Sequence, residues 1–199
     1  PKDATLVKTD SSKEFCNVCG MHLTKFYKTS HATEFKNGHK EQYCSLHCQA
    51  QIEEDHADKI KNIQVVDTNS LKFIDAKNAI YVVGSSKPGT MTPVSKYAFS
   101  TKEEAVKFQK EFGGEIHTFD ESLDMAKKAL IKENNAIDEK RVPMAIKGKK
   151  AFETMCDTKQ TKDFNSVGEA KQYLIDNNVC KNLNPQMMQA VAIYLYNPA

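Results

Sequence analysis

Two short cysteine-containing segments near the N-terminus are the residues best suited to chemistry. The first carries Cys16 and Cys19, with Met21 two residues further on, and the second carries Cys44 and Cys48. Four thiolates in two closely spaced pairs are typical of a tetrahedral Zn²⁺ site. A Cys-x-x-Cys pair can instead cycle between dithiol and disulfide. A thiolate together with a thioether suits Cu(I), a soft ion. These segments therefore indicate either metal binding or thiol redox chemistry.

The position of Met21 bears on the choice between zinc and copper. In a zinc knuckle the residue two positions after the second cysteine has no ligand role. In a Cu(I) site, Cys19-Gly20-Met21 would place a thiolate and a thioether on one turn, and Gly20 would let the backbone fold so that both sulfurs reach one ion. Because a methionine more often fills a core, the spacing alone leaves both metals open.

Composition and charge indicate a globular protein and argue against a nucleic-acid partner. Of 199 residues, 40% are apolar and 27% are charged, and 28 basic side chains against 26 acidic ones leave a net charge of +2. Arg141 is the one arginine, although guanidinium groups dominate specific recognition of bases and phosphates. A chain of this length forms one domain or two small ones. No stretch approaches the roughly 18 apolar residues of a membrane helix.

The elements that must position the cysteines begin with a ββαβ pattern. Strands are predicted at 31–35 and 40–43, joined at Asn37-Gly38 by a type I′ turn, the strongest short hairpin signal. A helix is predicted over 44–56 and a strand over 62–67. Since Cys44 and Cys48 are four residues apart, they would share one face of that helix.

The next stretch repeats this order and carries Met91 in a loop over 84–94. A helix is predicted over 101–112, with Ser100 and Glu103 as a capping box and Gly113 and Gly114 at its end. Four strands accompany it, at 71–75, 79–83, 96–99 and 115–118. The pattern predicts two similar units in one compact domain.

The chain becomes mostly helical at about residue 120. Four helical segments are predicted, at 120–134, 151–156, 166–176 and 185–196. The stretch 140–150 is predicted to be a connector because it holds a proline and a glycine. The predicted domains are a flexible lead-in over 1–13, an α+β domain over 14–119 and a helical domain over 120–199.

Several motifs that occur in order make residues 14–118 resemble the NosL family. They are Cys19-Gly20-Met21-His22-Leu23-Thr24, the loop 84–92 with Met91, Tyr97-Ala98-Phe99, and a helix that ends in Phe112-Gly113-Gly114. NosL proteins are periplasmic copper-binding accessory proteins for nitrous-oxide reductase and are commonly lipoproteins. The resemblance implies a two-repeat ββαβ fold, in agreement with the repeat described above.

The resemblance also implies ligands and partners. Cys19, Met21 and Met91 match the family's Cys-Gly-Met motif and its later loop methionine, which implies a three-coordinate Cu(I) site. The implied protein is a periplasmic metallochaperone of denitrification, with a possible lipid anchor ahead of the given chain. It would deliver copper to nitrous-oxide reductase or a related copper enzyme through copper-acceptor or membrane assembly proteins. We do not expect an enzyme, since no nucleophile elbow, phosphate loop or paired-carboxylate signature occurs.

Cys16, Cys44 and Cys48 depart from the family pattern. They could form a disulfide, bind a second metal with His47, or enlarge the copper site. The cysteine-rich half also resembles TRASH-type metal-binding modules. A zinc site of these three cysteines and Cys19, with a structural or metal-sensing role, is therefore the alternative function. A thiol oxidoreductase is less favoured because no thioredoxin-like βαβ pattern surrounds Cys16 and Cys19.

The C-terminal domain resembles a small cytochrome c that has lost its haem. The segment 147–156 resembles the lead-in to a haem attachment site, and the last helix resembles that of a cytochrome. Covalent haem needs Cys-x-x-Cys-His, but Cys156 is followed by Asp-Thr-Lys-Gln, so no haem is expected. In an oxidising compartment, Cys156 and Cys180 would close a disulfide loop that contributes about 3 kcal/mol.

Overall fold

The computed structural model describes residues 4–9, 11–159 and 162–196. These residues form two compact units. We call them the sheet unit, 4–9 with 23–131, and the helical unit, 11–22 with 132–196. The C-terminal division falls between residues 131 and 132, whereas the sequence analysis placed a domain boundary near 120. The cysteine segment 11–22 also groups with the C-terminal helices rather than with the strands that follow it.

The sheet unit contains two ββαβ repeats with the same strand order. The first comprises β1 (His31–Phe35), β2 (Lys40–Tyr43), α1 (Leu46–His56) and β3 (Ile60–Val66), followed by β4 (Phe73–Asp75). The second comprises β5 (Ile80–Val83), β6 (Lys96–Phe99), α2 (Lys102–Phe112) and β7 (Glu115–Thr118). The sheets are ordered β2-β1-β3-β4 and β6-β5-β7, and every pairing is antiparallel. The predicted α+β class and the two-repeat ββαβ fold are thus confirmed.

The strand β4 joins the first sheet, although the sequence analysis assigned it to the second repeat. A tight turn after β3 explains the difference. The N–H of Leu71 donates to the carbonyl oxygen of Asp67 at 2.8 Å, and the N–H of Asp67 donates to that of Lys72 at 2.9 Å. This turn sends the chain back antiparallel to β3, so that Val66 pairs with Phe73.

The β1–β2 hairpin lies where Asn37-Gly38 predicts it, but its turn is of another type. Gly38 has φ 85°, and its N–H donates to the carbonyl oxygen of Phe35 at 2.9 Å. Asn37 does not have a positive φ. A type I′ turn needs positive φ at two successive residues, so that prediction is wrong. A type I turn followed by a glycine in the left-handed region connects the strands instead.

Both sheet-unit helices begin one or two residues later than predicted, because the residue before each helix is extended and acts as its cap. Ser45 caps α1, and its Oγ accepts the N–H of Cys48 at 3.4 Å. Cys44 therefore precedes the helix instead of lying on it. Thr101, rather than Ser100, caps α2 and accepts the N–H of Glu104 at 3.3 Å.

The core of the sheet unit packs on both faces of β5. Alternate residues of a strand point to opposite faces. Tyr81 and Val83 accordingly belong to a cluster with Leu46 and Phe119, whereas Val82 packs in a second cluster with Phe99. Burial on both faces is typical of an apolar run such as Ile80–Val83.

The described part of the predicted flexible lead-in is hydrogen-bonded to β2. The N–H of Val7 donates to Oε1 of Gln42 at 2.9 Å, and the N–H of Thr9 donates to the carbonyl oxygen of Lys40 at 3.0 Å. These bonds attach residues 4–9 to the edge of the first sheet.

The predicted connector at 140–150 is wrong, because one continuous helix, α3, spans Phe119–Met155. Strong helix formers surround Pro143 within it. Gly148 allows the helix to pack closely against the backbone of Ala190, since a Cβ on Gly148 would lie 2.0 Å from the carbonyl oxygen of that residue. The helix thus continues through both residues that sequence rules treat as breakers. Among the described residues, no helix is both long and apolar enough to cross a membrane.

The helical unit is completed by α4 (Val167–Asp176) and α5 (Pro185–Tyr196). Its core includes Phe152, Leu174 and Val191. Cys156 and Cys180, the pair considered above as a disulfide, are bonded to each other. The bond ties the end of α3 to the segment that leads into α5.

Candidate metal centre

The segment Cys16–Met21 is a tight loop of the helical unit. The N–H of Gly20 donates to the carbonyl oxygen of Cys16 at 3.0 Å, and the N–H of Cys16 donates to that of Met21 at 2.9 Å. Gly20 has φ 76°, a conformation that favours glycine. Cys16 and Cys19 are buried and Met21 is half-buried. The loop therefore holds a dithiol and a thioether within six residues of chain.

The second cysteine pair lies where β2 passes into α1. Cys44 precedes the cap residue and Cys48 lies in the first helical turn, and their Sγ atoms are 3.9 Å apart. Both side chains are fully buried.

The four cysteines outside the disulfide form one buried pair in each unit, Cys16 and Cys19 in the helical unit and Cys44 and Cys48 in the sheet unit. Sulfur atoms at the corners of a Zn–S₄ tetrahedron, with bonds of about 2.3 Å, are about 3.8 Å apart. The separation of 3.9 Å between the Sγ atoms of Cys44 and Cys48 is close to that spacing. Each pair could therefore supply two soft ligands to a metal ion.

The loop that carries Met91 is fastened to the backbone of Cys44 through Thr29. The Oγ1 of Thr29 donates to the carbonyl oxygen of Cys44 at 2.7 Å and is hydrogen-bonded to the Oγ1 of Thr90 at 2.8 Å. Met91, the next residue, is half-buried and has φ 67°, in the left-handed region. Thr29 thus holds the Met91 loop beside one cysteine pair. Metal ligation by Met21 and Met91 stays a prediction.

Two histidines lie next to candidate ligands in the chain. His22 follows Met21, packs edge-on against Phe15 with ring centroids 5.4 Å apart, and has its Nε2 3.7 Å from a carboxylate oxygen of Glu14. His47 lies between the cysteines of the second pair and is buried. The role of His47 in a second metal site stays a prediction, and the position of His22 beside Met21 would let its imidazole complete the site predicted at Met21.

His31, the first residue of β1, is a fully buried polar residue that no sequence motif marks. Its Nδ1 lies 3.0 Å from the carbonyl oxygen of Thr29, and its Nε2 lies 2.9 Å from the hydroxyl of Tyr81. Burial lowers the pKa of His31 to about 4; the bond to Thr29 opposes this and the charge of Lys96 adds to it. A neutral ring that donates from Nδ1 and accepts at Nε2 satisfies both partners. His31 therefore supports Thr29, which supports the Met91 loop.

Two further side chains, Lys171 and Gln189, contact the backbone of the Cys16–Met21 loop and were missed by the sequence analysis. No motif marks them, since they lie on α4 and α5, about 150 residues or more from the loop along the chain. Only the folding of the helical unit brings these two side chains into contact with the loop.

Comparisons with known proteins match this chain to a protein family and to similar proteins, including a repressor and a copper chaperone. The family model described as NosL matches residues 7–126. The HTH-type transcriptional repressor CutR of Bacillus subtilis (strain 168) is 25% identical over 118 residues, which are 59% of this chain and 61% of the repressor. The chain thus matches less than two thirds of the length of that relative. The crystal structure of the copper chaperone NosL from Shewanella denitrificans is 28% identical, with a TM-score of 0.48, and the match covers 61% of this chain and 96% of that one.

Proposed function

Because this chain belongs to the NosL family, we propose that it is a Cu(I) metallochaperone. The observation that carries the proposal is that each unit holds a buried pair of thiols, Cys16 and Cys19 in one and Cys44 and Cys48 in the other. Soft sulfur ligands select Cu(I) over harder ions. The Met21 and Met91 loops would add thioethers to the same soft ligand set.

The proposed ligands are Cys19, Met21 and Met91. One thiolate and two thioethers around Cu(I) carry no net charge, whereas four thiolates around the same ion carry a charge of −3. Burying an uncompensated charge is costly, and the cysteine side chains are buried. The mixed set is therefore favoured for Cu(I), with Cys16, Cys44 and Cys48 as further thiols to which the ion could pass.

The greater solvent exposure of the two methionines supports release of Cu(I) by exchange of a thioether ligand. Met21 and Met91 are half-buried, whereas Cys19 is buried. A soft ligand from an acceptor protein would therefore displace a thioether first, while the thiolate still holds the ion. Exchange of this kind passes the cargo without releasing it to water.

We place this function in the periplasm. The disulfide between Cys156 and Cys180 supports an oxidising compartment. Family membership supports nitrous-oxide reductase, or a related copper enzyme, as the destination of the copper, through copper-acceptor or membrane assembly proteins. A lipid anchor ahead of the given chain belongs to the same proposal.

A zinc or metal-sensing module is the second candidate. The separation of 3.9 Å between the sulfurs of Cys44 and Cys48 is close to the spacing of about 3.8 Å in a Zn–S₄ tetrahedron. Four thiolates around Zn²⁺ leave a charge of −2, smaller than around Cu(I). In this alternative all four cysteines would be ligands and both methionines would be dispensable.

Native mass spectrometry of the reduced protein, titrated without oxygen with Cu(I) or with Zn²⁺, separates the two candidates. The chaperone predicts one tightly held Cu(I) per chain and weaker binding after Met21→Ala or Met91→Ala. Met125→Ala is the matched control, since Met125 is an exposed methionine of α3. Tight Zn²⁺ binding with no effect of either methionine on either metal would overturn the copper site and support the zinc module.

A further inference from the structure

We propose that Lys171 and Gln189 are positioning residues that set the mutual orientation of Cys19 and Met21. The inference rests on the metal-binding role proposed above. In this proposal the helical unit orients two of the three proposed metal ligands.

The two side chains hold the peptide groups on either side of Gly20. The Nε2 of Gln189 donates to the carbonyl oxygen of Cys19 at 2.9 Å, and the Nζ of Lys171 donates to that of Gly20 at 3.2 Å. Peptide groups are planar, so φ and ψ of Gly20 are the only rotations between these two groups. Holding both carbonyls therefore restricts the angle at which Cys19 and Met21 present their sulfurs.

Lys171 and Gln189 also hold each other. The Nζ of Lys171 donates to the Oε1 of Gln189 at 2.9 Å and lies 4.4 Å from the centre of the Phe15 ring. Lys171 is only 8% exposed, and a buried ammonium group needs such partners to offset its lost hydration. The pair is thus a single rigid donor unit that faces the loop.

Close backbone packing keeps the loop in reach of these donors. A Cβ on Gly168 would lie 2.4 Å from the carbonyl oxygen of Cys16, and a Cβ on Gly20 would lie 2.6 Å from the Cγ1 of Val167. Glycine at both positions allows the first turn of α4 to touch the loop directly. At the other end of α4, Asp176 pairs with Lys13 at 2.6 Å.

These contacts come from residues outside the family match, which ends at 126. The resemblance accounts for Cys19 and Met21 but not for the side chains that orient them. The C-terminal helices are therefore more than an appended domain, because they hold in place two of the three proposed ligands.

Selective alkylation of the metal-free protein tests this without depending on copper. We compare Lys171→Met, which loses the donor but keeps the stem, with Gln189→Glu, which can still accept from Lys171 but cannot donate to Cys19. Lys162→Met is the matched control, because Lys162, like Lys171, lies near aromatic rings of the helical unit, but it pairs with the carboxylate of Glu169 and not with the Cys16–Met21 loop. Iodoacetamide labelling, mapped by mass spectrometry, should rise several-fold at Cys16 and Cys19 in both test variants. Labelling of Cys44 and Cys48, and all labelling of the control, should match the wild type.

Competition for Cu(I) against a chromophoric chelator provides the second measurement. We expect both test variants to bind Cu(I) about three- to tenfold more weakly than the wild type, as for the loss of one buried hydrogen bond. If both variants show the cysteine labelling and the Cu(I) affinity of the wild type, the proposal is overturned. Faster labelling of all four thiols to the same degree would also overturn it, since it would show general destabilisation. A wild-type protein that binds no Cu(I) would refute the proposed function, while the labelling result would still decide whether Lys171 and Gln189 hold the loop.

Discussion

The two ββαβ repeats have the same junction between their second strand and their helix, but they place different chemistry on it. In the first repeat Cys44 precedes the cap Ser45 and Cys48 lies three residues after it. In the second, Ser100 and Glu104 occupy the same positions around the cap Thr101. The Sγ atoms of the cysteine pair are 3.9 Å apart, and the Oγ of Ser100 donates to Glu104 at 3.3 Å.

The comparison shows that the junction itself brings two side chains together. A cap residue with extended backbone turns the chain so that the residue before it and the residue three after it meet. Burial is what differs: Cys44 and Cys48 are fully buried, whereas Ser100 is exposed and Glu104 half-buried. The same backbone conformation therefore holds a buried thiol pair in the first repeat and a polar pair in contact with solvent in the second.

Placing glutamate in the first junction should have the largest effect. Cys48→Glu introduces the residue of the second repeat into a fully buried position, where its carboxylate loses hydration. We expect the free energy of unfolding to fall by about 3 kcal/mol or more, measured by urea denaturation. Glu104→Gln is the control and should stay within about 0.5 kcal/mol of the wild type. A fully stable Cys48→Glu variant would show that burial does not distinguish the junctions.

Acid should weaken the first repeat through His31, whose counterpart at the start of the second repeat is Ile80. Its pKa is about 4 in the folded protein, against an ordinary value of 6.5. Between these values the unfolded chain binds a proton that the folded chain does not, so this stability is present above pH 6.5 and is lost as the pH falls towards 4. We expect a loss of about 2 kcal/mol between pH 7.5 and 5, measured by urea unfolding of the metal-free protein.

His31→Gln tests the assignment, because glutamine can bond to the same partners without titrating in this range. The loss between pH 7.5 and 5 should largely disappear in this variant. Carboxyl groups with a lowered pKa, namely those of Glu34, Asp67, Glu121 and Asp176, act below this window. An unchanged pH dependence in His31→Gln would assign the effect to another group.

Removing the two caps should separate stability from protection of the thiol pair. Ser45→Ala and Thr101→Ala each remove a side chain that accepts a helix N–H, and we expect each to lower the free energy of unfolding by about 1 kcal/mol. Only Ser45→Ala should also speed the alkylation of Cys44 and Cys48, because Ser45 bonds to the N–H of Cys48. Thermal denaturation and iodoacetamide labelling of both variants measure this. An equal rise in labelling in both variants would place the effect in the whole sheet unit.

The smallest change is expected from the reverse exchange, Ser100→Cys with Glu104→Cys. The exposed junction tolerates both residues, so stability should stay within about 0.5 kcal/mol of the wild type. Native mass spectrometry should detect a second, weakly held Cu(I), since two thiolates in this geometry form a soft ligand pair. The single variant Ser100→Cys is the control. No added binding would mean that the junction needs burial as well as thiols.

Local signals in the sequence predicted much of the fold. Asn37-Gly38 located the hairpin, Gly113 the end of α2, and Ser166 the start of α4, because turns and caps depend on a few neighbouring residues. The repeat of strands and helices was also visible, since it follows from local periodicity. Local rules failed where a neighbour in space decided: α3 runs through Gly148 because that glycine packs against Ala190.

For the candidate site, the sequence by itself determined the chemistry: soft sulfur ligands in two cysteine pairs, a methionine one glycine away from Cys19, and a family resemblance that adds Met91. Only the tertiary structure decided how these residues are arranged. It placed Cys44 outside the helix, fastened the Met91 loop through Thr29, and brought Lys171 and Gln189 to the Cys16–Met21 loop. The physical reason is that residue types set which ions can bind. Long-range hydrogen bonds and close backbone packing, which no local pattern encodes, set where each sulfur points.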